Sequence, residues 1–173
     1  MNQRKPALLP AVLVIVFIVL LVVWGGAAMA VEDLLWFLPV FSADASCIDL
    51  HWDGEQVRLW PDSAGYALLN EALHEDLSHV RAYPDGVGLS AEMLERLRTK
   101  ERLVEAHYAE PVRVHSSYRF MPSPVFYIPL SGHHASRDRV FNKGRGAPLE
   151  LRDIGTIVAA AEAVAQQEGL GEP

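Results

Sequence analysis

His133, His134, Arg137, Arg139 and Arg145 are the residues whose types and spacing come nearest to a functional constellation. Ser131-Gly132-His133-His134 follows a predicted strand, in the kind of loop that commonly carries functional side chains. Two adjacent imidazoles hold a metal only with ligands from elsewhere, for which His107, His115 and Asp138 are available. A nucleophilic Ser131 would need an oriented base, and Pro129-Leu130-Ser131-Gly132-His133 lacks the glycine ahead of the serine that a nucleophile elbow requires. The plainer reading is a polar turn with exposed imidazoles.

Just downstream, Arg137, Arg139, Lys143 and Arg145 place four cations within nine residues, opposed only by Asp138. Gly144 and Gly146 would let backbone amides approach an anion. The strand–loop–helix setting and GK[ST] ending of a phosphate-binding loop are missing, so nucleotide binding is not implied. A solvated hairpin tip is the simpler account of such a loop, since charged loops are ordinary. Any ligand site is expected at His133, His134, Arg137, Arg139 and Arg145, and would take an anion. No catalytic residue, metal ligand set or cofactor is assigned.

The remaining candidates resolve into structural roles. His74 and His79 resemble a zinc-protease pair, but they are five residues apart, about 140° around a helix, and Ser78 occupies the place that chemistry needs. Trp52, Trp60, Tyr108, Tyr118 and Tyr127 would form a sugar or peptide platform only on one exposed sheet face; aromatics in strands are usually core. Cys47 reads as a buried small side chain, and one cysteine excludes an internal disulfide or a multi-thiolate zinc site.

The elements that must carry these residues follow from periodicity. Cys47–Trp52 and Glu55–Trp60 flank Asp53-Gly54, which supplies a two-residue type I′ turn. That turn pairs Trp52 with Glu55, Leu50 with Val57 and Ile48 with Leu59 on one face, and Asp49 with Arg58, His51 with Gln56 and Cys47 with Trp60 on the other. Ser63 is the expected cap of a helix carrying Tyr66, Leu69, Leu73, Leu77 and Val80, and Ser90 caps a second helix with Met93, Leu94 and Leu97 inward. Leu103–Ala109 and Val112–Phe120 alternate on either side of Pro111, and Val125–Leu130 is a further strand. Arg139–Asn142 and Leu149–Leu151 form a hairpin, and an Asp153-capped helix runs to Gly169. Hairpin, helices, antiparallel strands and a C-terminal helix make an α+β fold.

In the 173-residue chain, 25 residues from Ala7 to Val31 carry no charge. As a helix they would extend about 37 Å, enough for a hydrocarbon core of about 30 Å. Arg4 and Lys5 precede the run while Glu32 and Asp33 follow it, so the N-terminus is expected in the cytoplasm and the remainder outside. Ala28-Met29-Ala30 also fits a peptidase site, making a cleaved, secreted form the alternative; the length of the apolar run favours an anchor. Leu34–Phe41 is a second apolar patch, too short to span.

The expected organisation is a cytoplasmic tail (1–6), a transmembrane anchor (7–31), a juxtamembrane linker (32–46), an extracytoplasmic α+β domain (47–169) and a short tail (170–173). Beyond the anchor, 13 basic side chains face 22 acidic ones, a net charge of -9, which argues against nucleic acid and leaves membrane attachment to the helix. The expected partners are the bilayer, through residues 7–31, and a protein of the cell envelope. The expected role is binding, scaffolding or regulation. An anchored hydrolase or metal-dependent enzyme using the His133-His134 loop is the alternative.

Overall fold

The computed structural model describes residues 8–38, 40–82, 88–118, 120–143 and 147–171. A long helix α1 (Leu8–Val31) precedes an α+β domain built from β1 (Cys47–Trp52), β2 (Glu55–Leu59), α2 (Tyr66–Leu77), β3 (Val80–Ala82), α3 (Ala91–Lys100), β4 (Leu103–Val112), β5 (Ser123–Pro129), the single turn α4 (Gly132–Ala135), β6 (Arg139–Asn142), β7 (Leu149–Leu151) and α5 (Gly155–Glu168). The strands form one antiparallel sheet in the order β2-β1-β4-β5-β6-β7-β3.

The first hairpin has the predicted register, Ile48 opposite Leu59 through Trp52 opposite Glu55. Asp53 and Gly54 both take positive φ, 52° and 95°, as a type I′ turn demands. From this edge the chain crosses through α2 to β3 at the far edge, then returns through α3 to place β4 beside β1. The β6–β7 strands also have the predicted bounds, while Gly144-Arg145-Gly146 of their connection lies outside the described residues.

Strand alternation divides the sheet into two chemically different faces. Ile48, Leu50, Val104, Ala106, Phe126 and Ile128 point to one side, where α2 and α5 cover them with Leu69, Leu73, Leu77, Ile157, Ala161 and Val164. Burying each such aliphatic side chain contributes about 1.5–3 kcal/mol. Gly65 lets the start of α2 close on α5, because a Cβ there would lie 2.8 Å from Val164 Cγ2. On the other side α3 covers only part of the sheet, packing Leu97 on Leu103, Val125, Tyr127 and Phe141.

Several local expectations change for physical reasons. Val80 belongs to β3, not to α2: the helix stops at Leu77 and the β-branched residue pairs with Leu151 at the sheet edge. Ser63 does not cap α2, which starts after Gly65; its Oγ accepts the Trp60 N–H at 2.9 Å. Ser90 caps α3 as predicted, accepting the Met93 N–H at 3.1 Å. At α5 the N-cap position is Ile154, and Asp153 accepts the Gly155 N–H; the Ile157 N–H is satisfied from another helix, by Asp76 Oδ2 at 2.9 Å. The strand predicted before Pro111 continues through it to Val112, in a stretch of irregular pairing with β5, and residues 113–118 are not a strand.

The large apolar side chains of α1 stand away from the domain, with Leu9 73% and Phe17 62% exposed, while Ala28 near its end is buried. The helix is long and apolar enough to cross a membrane. The segment after it is pinned to the domain. Buried Asp33 pairs with His115 Nδ1 at 2.8 Å and accepts the Leu35 N–H. The Phe41 N–H donates to Ser78 Oγ, the Ala45 N–H to Asn70 Oδ1, and the Tyr66 hydroxyl to the Ala45 carbonyl. Leu34, Leu35, Phe37, Leu38 and Val40 remain exposed, whereas the Phe41 ring enters the core against Tyr108 and Phe126.

Candidate functional site

The predicted loop residues take different positions. His133 and His134 form the single turn α4, their rings 5.7 Å apart. His134 turns inward, edge-on to Phe141 with ring centroids 5.2 Å apart, and its Nε2 is 3.2 Å from Met93 Sδ. Burial, then the charges of Arg139 and His133, lower its pKa. His133 and Arg137 face solvent, and Arg139 lies on β6 opposite Glu150. Arg145 is outside the described residues. The structure therefore sets His134 and Arg139 side by side but directs His133 and Arg137 outward.

The aromatics are likewise divided. Trp52 and Tyr108 join the main core, Tyr127 packs beneath α3, and Trp60 and Tyr118 are exposed, so no common platform forms among them. Cys47 is buried and free, its thiol pushed up in pKa by burial and by neighbouring Asp49.

A denser charged site lies on the part of the sheet that α3 leaves uncovered. Cross-strand pairing aligns Arg58 of β2, Asp49 of β1 and Glu105 of β4 in one row; His51 and His107 flank it in the neighbouring rows. Two carboxylates directly opposite each other would repel. Each is met by a guanidinium fork: Arg58 Nε and Nη2 donate to Asp49 at 2.6 and 2.7 Å, and Arg98 Nε and Nη2, arriving from α3, donate to Glu105 at 2.6 and 2.9 Å.

The histidines close the network. His107 Nε2 lies 3.1 Å from Asp49 Oδ2 and 3.8 Å from Glu105 Oε2. His51 Nε2 is 3.0 Å from Glu105 Oε1, an ion-pair distance at which the ring is not aligned for a hydrogen bond. With Gln56 these side chains line a groove of about 290 Å³. Asp49 and Glu105 form its buried floor, and Arg58, with its side chain 48% exposed, stands at the rim.

The arginines decide the electrostatics. Burial alone would raise the Glu105 pKa, but Arg98 and His51 hold it down at about 2. Asp49 is lowered in the same way, burial being overcome by Arg58 and His107. Asp49, Glu105 and His107 bring ligand atoms within 4.8 Å of one another, close enough to surround a cation. Their carboxylates, however, already accept from two fixed guanidinium groups, whose charges would oppose a metal at the same place. The arrangement is a charge-balanced network in which Arg58 at the rim is already paired with the floor.

Sequence periodicity contained part of this site. The alternation of Leu103, Glu105 and His107 against Val104, Ala106 and Tyr108 already puts Glu105 and His107 on one face, and the hairpin register puts Asp49 beside Arg58. The pairing of β1 with β4, and the approach of Arg98 from α3, are tertiary facts. No family model matches the chain, and comparison with curated proteins and with solved structures found no similar protein.

Proposed function

We propose that this chain is a single-pass membrane protein of the cell envelope, N-terminus in the cytoplasm, whose outer α+β domain acts by binding a protein partner as a scaffold or regulator. The observation that carries the reading is α1: a 24-residue helix whose large apolar side chains, from Leu9 to Val23, stand uncovered by the domain. Hydrocarbon is the medium that removes such a surface from water. The charges on either side of the run support the orientation.

The groove supports binding. It is the half of a sheet face that no helix covers, and its rim presents Arg58 and His107 above an already neutralised floor. A partner's carboxylate received there would meet preorganised donors without first displacing a buried charge.

Two experiments test this. Reporters fused after residue 173 are expected to be active only when exported; activity of a cytoplasm-dependent reporter would refute the orientation. A photo-crosslinker at Gln56, on the groove rim, is expected to trap a specific partner in intact membranes. The same probe at Glu71, on the opposite face, is expected to trap none. Equal adducts from both positions, or an adduct at Gln56 that survives Arg58→Ala, would remove the groove from the proposal.

A further inference from the structure

A second cleft, of about 620 Å³, opens where α1 hands over to the domain. Trp36 and Phe37 form one wall, His115, Ser116 and Ser117 another, and the end of α2 runs into β3 along the floor. Its volume is in the range of small-molecule sites. Its composition is opposite to that of the domain: Arg81, Arg152, His79 and His115 line it and, among the described residues, no carboxylate does, although residues 32–173 carry a net charge of -9.

The two arginines keep N–H groups open to a ligand. Asp33 is buried and engaged by His115, and Glu150 meets Arg81 as an ion pair at 3.8 Å, too long for a hydrogen bond. Arg152 is exposed and its side chain has no ion pair among the described residues. The Trp36 Nε1–H is buried and has no acceptor among the described residues. Two guanidinium groups and the Ser117 hydroxyl around one opening, with the unpartnered indole of Trp36 in its wall, are donors suited to an anion with several acceptor oxygens. The wall bearing Trp36 and Phe37 continues into exposed Leu34 and Leu35, so apolar surface adjoins the cationic floor.

We propose that this cleft binds a phosphate ester, and that in the anchored protein the ester is the headgroup of an anionic phospholipid. The phosphate would lie between Arg81 and Arg152 while the glycerol and upper acyl chain rest on Trp36, Phe37 and the neighbouring leucines. The phosphate chemistry stands on the cleft alone; the lipid as its source rests on the membrane-anchored reading.

The test uses the full-length protein in nanodiscs of phosphatidylcholine, with or without phosphatidylglycerol. Failure to co-elute with the discs would overturn the lipid source through the anchor, separately from the cleft. For inserted protein, phosphatidylglycerol is expected to raise the unfolding midpoint by several degrees. Arg81→Gln/Arg152→Gln is expected to abolish that rise and leave the midpoint in phosphatidylcholine unchanged, since both side chains are exposed. Glycerol 1-phosphate added to phosphatidylcholine discs forms the soluble arm: a rise there alone would keep the phosphate site and overturn the lipid source. No rise with either probe, an equal rise with oleate, or a rise that persists in the double variant would overturn the proposal.

Discussion

Replacing Arg98 by Met tests the charged floor of the groove most directly. The substitution keeps the stem that crosses from α3 to β4 but removes both N–H groups that hold Glu105. Glu105 is 1% exposed, so the remaining carboxylate is buried beside Asp49 with His51 and His107 as its nearest donors. Removing one partner of a buried pair costs about 3–5 kcal/mol. The pKa supports the same scale: a fall from the ordinary 4.5 to about 2 corresponds to about 3 kcal/mol of stability held by the ionised form.

The sign follows from linkage. A carboxylate depressed in the folded state stabilises above its unfolded pKa, and that contribution disappears as pH falls from 4.5 through about 2. Urea unfolding of the full-length protein in nanodiscs, read by tryptophan fluorescence at pH 7 and at steps down to pH 2, measures both quantities. Arg98→Met is expected to lose about 3–5 kcal/mol at pH 7 and to flatten the acid limb. Arg98→Met/Glu105→Leu is expected to recover most of the loss, because two apolar groups leave no unpaired charge. A loss below about 1 kcal/mol, the scale of a surface ion pair, or an unchanged acid limb would refute the reasoning.

Three other perturbations have definite outcomes. Asp76→Asn is expected to keep the Ile157 N–H satisfied and to cost little at pH 7, because burial raises the Asp76 pKa and its ionised form disfavours folding as pH rises through that value; Asp76→Ala loses the acceptor and about 1–2 kcal/mol, both measurable by denaturation. Gly65→Ala drives a methyl to within 2.8 Å of Val164 and is expected to cost about 1–3 kcal/mol, visible as a lowered midpoint. His134→Phe keeps a ring against Phe141 and is expected to gain stability relative to the parent as pH falls below 6.5, where the parent's lowered imidazole pKa disfavours the fold; parallel midpoints from pH 8 to pH 5 would contradict this.

What sequence made legible was local. Asp53-Gly54 and the flanking alternation specify the β1–β2 register twice over, and Ser90 marks its helix by the standard capping geometry. Apolar spacing of three continues smoothly across the end of α2 to Val80, while the decision between helix and strand is made by an edge partner, Leu151, far along the chain. Asp153 looked like the cap of α5 since a carboxylate stood at the right distance, yet the acceptor for Ile157 comes from Asp76 on α2. The groove is illegible in sequence for the same reason. Its residues come from β1, β2, α3 and β4, and only the pairing of Asp49 with Glu105 across β1 and β4 makes them one site.

The pinning of residues 33–45 has a mechanical consequence. Between Val31 and Cys47 the chain is fastened to Asn70 of α2, to Ser78 just beyond it and to His115, leaving little slack for the domain to swivel. The azimuth of α1 is thus inherited by the sheet, and rotation of the helix about its axis would sweep the β1–β2 edge through the same angle. Around Gly25 and Gly26 an added Cβ would meet nothing within 4 Å, so that stretch of α1 is open to a neighbouring helix. Contact between two such helices would fix which edges of the two sheets face each other.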